Sequence, residues 1–392
     1  MMTAGARQRR RRPFGAVARM LLPLVLALSV LVLFSIVWQS VGEESDFAKL
    51  ERDGVKYIQA LGPLEIALTN AESAAVNGSP AAPDDLAGAI EAVARVDSEL
   101  RGRLGTQDRW DGLRTKIESL PDSGTDPAII AAYGGAHDLL LALMDKVRNT
   151  SKLIRDPDAD IYYLGDGATQ ELPEGIVAAA RFTDLLVSIA GLPAADRTQA
   201  LVDINSAGSG LAGNARDLSD DVRLAVEGTG SRSLGGALLS RLDRFNRSID
   251  NLTPLMTPVL TGKGGVNTAQ VVRARNEMQI AAAELSAALL TQIDLGLSDR
   301  LSSLSLRRLL AVATLVLPLL IALVPAGIAL AARRRKSTTT PPPAPAHQAP
   351  AQKAAAPPPW PVDPVPAQWP APGPQPASEP EYARWERFGA PR

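Results

Sequence analysis

The side chains most able to do chemistry are concentrated in residues 151–166, which read SKLIRDPDADIYYLGD. Carboxylates at alternate positions could bind calcium, which takes ligands at positions 1, 3 and 5 of a loop. Such a loop also needs Gly at position 6 and Glu at position 12, where this chain has Ile161 and Gly167. Acid–base catalysis needs an enclosing cleft, which consecutive residues on a turn do not provide. The spacing therefore disfavours both a metal site and a catalytic site.

The same aspartates fit the beginning of an α-helix. Asp156 can accept hydrogen bonds from the free N–H groups of a first turn, and Pro157 suits the first helical position. Asp158 and Asp160 then lie near the positive end of the helix dipole. We therefore predict that a helix begins here and that the aspartates have a structural role.

Two tyrosines continue the predicted helix. Tyr162 lies four residues before Asp166, so the two side chains share a helix face. A guanidinium can pair with a carboxylate through two parallel hydrogen bonds, which makes arginines candidates for an anionic ligand, although solvation at the surface explains them equally well. The candidate ligand-binding residues are Tyr162, Tyr163, Arg155 and Arg181.

The composition removes several kinds of chemistry. The chain has no Cys and two His, His137 and His347, so thiol nucleophiles, disulfides and a zinc site are not expected. A lone histidine such as His137 is more often buried and hydrogen-bonded than part of a pocket. We predict that the protein is not an enzyme and uses neither a metal nor a cofactor.

Two uncharged runs divide the chain. Residues 20–42 and 309–332 are rich in Leu, Val and Ala, and about 20 apolar residues suffice to span a bilayer. A cleaved signal peptide is the alternative for the first run, but its apolar stretch is longer than such peptides usually have. We predict two transmembrane helices.

The basic residues that flank these runs predict the orientation. Six arginines lie in residues 1–19, and an RRRK cluster begins residues 333–392, so both ends are expected in the cytoplasm of a plasma or inner-membrane protein. Residues 43–308 are then extracytoplasmic. Their 38 acidic and 27 basic residues give a net charge of about −11, which argues against nucleic-acid binding.

Residues 43–308 are predicted to be all-α, because apolar residues recur at intervals of three and four. Six Gly- or Pro-containing breaks divide them into about seven helices, in an elongated bundle that could be two stacked four-helix modules. The breaks are predicted at 77–85, 121–127, 156–158, 191–196, 228–233 and 261–265.

The first and last helices of this domain are predicted to continue into the apolar runs. Apolar residues from Leu50 to Ala75 follow one narrow seam, which Pro63 should bend. The last helix is predicted to begin near Asn267 and to continue through the apolar series Met278, Ala282, Leu285, Leu289, Ile293, Leu297, Leu301 and Leu304. The segment 205–215, with three glycines, is predicted to be the weakest helix.

Two segments carry a resemblance to a known class of domain. The first looks like S-N-L-x-L-D-P-D-x-D-x-Y-Y-L-M-D, and the second, ERDGVKYIQALGPL, is similar to E-R-x-G-V-x-Y-L-x-P-L. Both belong to extracytoplasmic helical sensory domains of bacterial chemoreceptors, histidine kinases and diguanylate cyclases. The chain departs from the first pattern at Lys152 and Gly165. It matches at Ser151, Leu153, Asp156, Pro157, Asp158, Asp160, Tyr162, Tyr163, Leu164 and Asp166.

This resemblance covers roughly residues 51–191. It implies a bundle that detects something outside the membrane and moves its terminal helices. Such receptors usually continue into a linker and an output domain, whereas RRRKSTTTPPPAPAH follows the second apolar run here. The resemblance therefore predicts a sensor that depends on a separate effector.

The Pro- and Ala-rich residues 333–392 are predicted to be disordered. Trp360, Trp369 and Trp385 are candidate docking sites for a cytoplasmic kinase or another effector. The alternative is a linker that touches the membrane surface or nothing.

We predict a homodimeric membrane sensor that binds a small molecule or an envelope protein outside the cell. The alternative is a membrane scaffold or an accessory subunit of an envelope complex that senses nothing.

Overall fold

The structure is a computed structural model that describes residues 14–79, 83–121, 123–124, 126–228, 232–261 and 265–336. Within these ranges the chain forms helices and no strands, which confirms the predicted all-α fold. Residues 1–13 of the predicted basic N-terminus lie outside the described residues. The predicted tail lies outside them from residue 337 onward, including the three tryptophans.

The described helices begin and end close to the predicted breaks, each of which falls at a helix boundary. The helices are α1 Phe14–Val76, α2 Pro83–Leu104, α3 Gln107–Glu118, α4 Asp126–Thr150, α5 Ala159–Asp166, α6 Leu172–Ser188, α7 Ala194–Gly228, α8 Arg232–Leu252, α9 Thr257–Thr261 and α10 Thr268–Lys336. A π-helical turn, Gly167–Glu171, joins α5 to α6, and short 3-10 turns lie at Leu153–Arg155, Ile189–Gly191 and Thr253–Met256. The segment 205–215 lies inside the continuous α7.

The sequence interpretation missed the break between α2 and α3. Gly105 has a φ of +62°, a left-handed conformation that glycine adopts without a Cβ clash, and its N–H donates to the Arg101 carbonyl at 2.8 Å. Thr106 follows and donates its hydroxyl to Asp97 Oδ1 at 2.7 Å. Tyr57 of α1 donates to the same oxygen at 2.8 Å, so hydrogen bonds through Asp97 connect this junction to α1.

α1 lies against α2, α4 and α6. The predicted seam is buried, with Leu61, Leu64 and Leu68 fully inaccessible. The buried residues of α1 are not confined to this seam, however, since α1 also buries Ala48, Ile58 and several polar residues on other faces. The helix continues through Pro63 without a break. α1 is therefore a central helix with partners on several sides, which a narrow apolar seam did not predict.

α10 begins at Thr268, as predicted, and buries the predicted apolar series except Leu301, which is half-buried. Its fully buried residues are Met278, Ala282, Leu285, Leu289, Ile293 and Leu297. It reaches α1 through side chains: Gln279 Nε2 donates to Thr69 Oγ1 at 2.9 Å, and Arg52 Nε donates to Asp294 Oδ1 at 2.7 Å. One continuous cluster of buried apolar residues includes members of both helices.

Two helices of the described chain are long and apolar enough to cross a membrane, Asp126–Thr150 and Thr268–Leu317. The first is α4, which buries Leu140 and Leu143 completely inside the bundle. The predicted span 20–42 lies within α1, and the side chains of residues 20–24, 26 and 27 lie outside the description.

Apolar side chains are exposed on α1 before the bundle and on α10 after it. Among the described residues, the buried core runs from Val41 to Leu304. Leu33 is 62% exposed and Leu309 66% exposed, and further exposed apolar residues lie beside each of them. These exposed surfaces coincide with the predicted spans 20–42 and 309–332.

We predict that Gly54→Ala destabilises the bundle. A Cβ at this position of α1 would overlap the Cβ and Oγ of Ser151, and overpacking typically costs about 1–3 kcal/mol. Gly112→Ala is the control, because a Cβ there meets nothing within 4 Å and alanine favours a helix by about 1 kcal/mol. Thermal unfolding followed by circular dichroism should show a lower midpoint for the first variant only. Equal midpoints would contradict the close approach.

Candidate functional site

The aspartate-rich stretch does not cap a helix as predicted. α5 begins at Ala159, so Asp158 occupies the N-cap position and makes no side-chain capping bond, and Pro157 precedes the helix. Asp156 instead accepts a hydrogen bond from the Asp158 backbone N–H at 2.7 Å through Oδ1. The same oxygen accepts from Arg300 Nη2 at 2.6 Å, and Asp156 lies three residues before the first residue of α5, outside the N-cap position.

Arg300 of α10 gathers three carboxyl groups, and we call these four residues the Arg300 cluster. Its Nη2 lies 2.6 Å from Asp156 Oδ1 and 2.5 Å from Asp158 Oδ2, and its Nη1 lies 3.2 Å from Glu51 Oε2. The cluster joins α1, the turn before α5 and α10. Glu51 and Asp156 come from the two segments that carry the family resemblance, and Arg300 lies outside both.

Burial, followed by the neighbouring Asp156 carboxylate, raises the pKa of Glu51 to about 9 despite the opposing charge of Arg300. One guanidinium cannot neutralise the two buried carboxylates, Glu51 and Asp156, so retaining a proton lowers the cost of burying them. The Arg300 cluster therefore keeps a proton near neutral pH.

The other predicted signature residues have partners outside the Arg300 cluster. Asp160 Oδ1 accepts a hydrogen bond from the Ile161 N–H at 2.9 Å, and Asp166 Oδ1 lies 2.5 Å from Arg148 Nη1. The rings of Tyr162 and Tyr163 pack edge to face, with centroids 5.2 Å apart. Asp166 is thus paired with α4, which was not predicted, because Arg148 lies outside residues 151–166.

The four candidate ligand-binding residues are not brought together in one cavity. Arg155 lines a cavity of about 1180 Å³ beside the Arg300 cluster. Arg181 lines a different cavity of about 730 Å³ between α4, α6 and α7. Tyr162 and Tyr163 are half-buried on α5. Their ligand-binding role remains a prediction.

His137 is buried and hydrogen-bonded, as expected. Its Nε2 lies 2.8 Å from Glu72 Oε2, and both side chains are 3% exposed. The histidine also lines the cavity that contains Arg181. Its Nδ1 is buried without a hydrogen-bond partner among the described residues.

A further set of carboxyl groups was not recognised from the sequence. Glu51, Glu65 and Glu72 are separated by 14 and 7 residues, so they lie along one stripe of α1. They are 0%, 1% and 2% exposed. The spacing of 14 and 7 residues could have indicated a common stripe. However, glutamates on a helix usually face solvent, and the sequence does not show that other helices surround α1.

Glu65 lines a cavity of about 700 Å³ between α1, α2, α6 and α10. Burial raises the pKa of Glu65 well above its usual range. Its Oε1 has no hydrogen-bond partner in the described part of the chain. The cavity walls are mainly apolar and include Ile58, Met144, Leu172 and Leu290.

Buried polar side chains also connect α1, α6 and α10 farther along the bundle. Ser73 Oγ donates to Asp184 Oδ1 at 2.5 Å, and Arg275 Nη1 lies 3.7 Å from the same oxygen. Burial, followed by the charge of Glu72, raises the pKa of Asp184 to about 7. Arg275 Nη2 also donates to Asn70 Oδ1 at 3.2 Å.

Comparisons of the chain with protein-family models, curated proteins and solved structures find no match. Within the described ranges, no group of three or more His, Asp and Glu side chains is arranged to hold a metal ion. The helices, the Arg300 cluster and the cavities are therefore the features that bear on function.

We predict that Glu51 makes the protein less stable as the pH rises. The folded state retains a proton that the unfolded state loses above pH 4.5, so the free energy of unfolding falls until about pH 9. Glu51→Gln should flatten this dependence by up to about 1.4 kcal/mol per pH unit. Glu118→Gln, which removes an exposed carboxylate on α3, is the control.

The measurement is chemical unfolding of the full chain in detergent between about pH 5.5 and 8.5. An equal slope for wild type and Glu51→Gln would contradict a retained proton on Glu51.

Proposed function

We propose that this protein is a membrane-anchored receptor-like protein. Residues 43–308 form an extracytoplasmic domain that binds a ligand or a neighbouring protein. α1 and α10 transmit the resulting change across the membrane to a separate cytoplasmic effector, which the tail recruits through its tryptophans. The proposal rests on one observation: the two helices that continue into the apolar runs are joined to each other and to α5 by the Arg300 cluster.

The distribution of exposed apolar residues supports the anchoring. Large apolar side chains are exposed on α1 between residues 25 and 38 and on α10 between residues 306 and 328, where a soluble bundle would expose polar ones. The RRRK sequence from residue 333 and the arginines within residues 1–19 supply the cytoplasmic charge bias.

The packing of the two resemblance segments supports a sensory domain. Gly54 and Ser151, one from each segment, approach closely enough to exclude a Cβ at residue 54. Lys152 has a φ of +69°, and the family pattern has Asn at this position, a residue that tolerates left-handed backbone better. The geometry is thus compatible with the family pattern even where the residue departs from it.

We predict that residues 98 and 337 lie on opposite sides of the membrane. The chain has no Cys, so Ser98→Cys and Ser337→Cys each introduce a single thiol. A membrane-impermeant maleimide should label Ser98→Cys in intact cells and Ser337→Cys only after permeabilisation. Labelling of residue 337 in intact cells, or of neither residue until the cells are opened, would contradict the topology.

We predict that opening the Arg300 cluster moves the spans relative to each other. Spin labels on Gln39→Cys and Leu310→Cys report the distance between α1 and α10, and Arg300→Gln should shift it by about 1–2 Å or broaden its distribution. Arg244→Gln is the control, because it removes an exposed ion pair between α8 and Glu284, a residue on the same helix as Arg300.

The measurement is electron–electron double resonance on the full chain in lipid nanodiscs, with circular dichroism to check folding. An unchanged distribution in folded Arg300→Gln would overturn the relay and favour the scaffold function.

A further inference from the structure

We infer that the cavity lined by Glu65 is a binding site for a hydrophobic amine. The ammonium group pairs with the Glu65 carboxylate, and the apolar body of the ligand occupies the space between α1, α2, α6 and α10. Hydrophobic amine here means a compact hydrocarbon with one basic nitrogen. The binding of the amine does not depend on the proposed receptor function. Only the biological role of the bound amine rests on that proposed function.

The cavity has the size and lining of a small-molecule site. Its volume of about 700 Å³ lies within the range of roughly 300–1,000 Å³ that ligand pockets occupy. Apolar side chains from α1, α4, α6 and α10 form most of its wall, among them Ile58, Met144, Ile176 and Leu290. Such a wall favours an apolar body over a highly hydrated ligand.

Glu65 supplies the feature that selects a cation. Its side chain is 1% exposed, and Oε1 has no hydrogen-bond partner within the described residues. Burial alone raises its pKa, with no contribution from a neighbouring charged group. A buried carboxyl of this kind is stabilised when a charged donor enters beside it.

Comparison along α1 shows that this arrangement is particular to Glu65. Glu51 meets Arg300, and Glu72 meets His137, so the chain itself provides basic partners at both ends of the stripe. The middle glutamate faces a cavity instead of a basic side chain. The partner missing at Glu65 is therefore one that an external ligand can provide.

The remaining polar groups of the cavity also favour a cation. Asp85 of α2 is the other ionisable residue in its lining, and it is acidic too. Gln59, Ser286 and Thr291 contribute neutral hydrogen-bonding groups. Residues 43–308 carry a net charge of about −11, which attracts cations and repels anions.

The release of a proton on binding is a specific test of amine binding at Glu65. Burial raises the pKa of Glu65, so the empty cavity favours the protonated carboxyl group over the carboxylate. A protonated amine that enters converts this carboxyl group to a carboxylate, and the carboxyl proton passes to the solvent. Binding should therefore release up to about one proton for each amine bound.

Three adamantane derivatives with the same cage test the ligand class: 1-aminoadamantane, 1-adamantanol and 1-adamantanecarboxylate. The full chain in lipid nanodiscs is titrated with each compound near pH 7 by calorimetry, and empty nanodiscs correct for partition into lipid. We expect the amine to bind about tenfold or more tightly than the alcohol, and the carboxylate more weakly still. Titration in buffers of different ionisation enthalpy should count the released proton.

Two variants assign the binding to this cavity. Glu65→Gln keeps the shape of the side chain and should abolish both the preference for the amine and the proton release, whereas Glu118→Gln on α3 should change neither. Ala287→Phe adds volume at an exposed lining position of α10 and should weaken all the compounds that bind to wild type. Thermal unfolding confirms that each variant is folded.

The inference is overturned if the amine binds no better than the alcohol, if neither binds, or if folded Glu65→Gln keeps the preference. These outcomes are independent of the spin-label measurement. Amine binding with no response of the spans to Arg300→Gln would overturn the relay and leave the binding site intact.

Discussion

The burial of acidic side chains along α1 is the constraint on which the arrangement of this bundle depends. A buried carboxylate needs a partner, because its desolvation is costly and apolar packing does not offset it. Arg300 meets Glu51, His137 meets Glu72, and these partners come from α10 and α4. Each pair fixes one helix against α1 at a defined position along the axis of α1. Glu65 lies between them and faces a cavity, so the same constraint that orders the two ends leaves the middle open to a ligand.

The Arg300 cluster connects this constraint to the exposed apolar ends. α1 and α10 both extend beyond the bundle with apolar surfaces, and Arg300 lies close to the last buried residue, Leu304. A change in the bundle that alters the cluster therefore acts on the two helices next to the proposed spans. The retained proton on Glu51 makes the same contact sensitive to pH, since its pKa lies above neutrality.

Much of the fold could be predicted because it depends on local rules. Gly and Pro residues indicated the six breaks between helices. The predicted apolar residues of α10 are buried from Met278 to Leu297. The break at Gly105 was missed because one glycine followed by a threonine is a weak signal. The site was predicted less well. Asp156 was interpreted as a cap, since capping is the local use of such a residue, and its actual partner lies 144 positions away.

The sequence by itself determined the helical class, the six predicted breaks between helices and the two apolar runs, because periodicity, turn residues and hydrophobicity act within a few positions of the chain. Only the tertiary structure decided which polar residues are buried and what they meet. Glu51, Glu65 and Glu72 look like ordinary solvated glutamates until α2, α4, α6 and α10 surround α1. Burial and electrostatic pairing depend on distances between helices, and neither spacing nor composition specifies these distances.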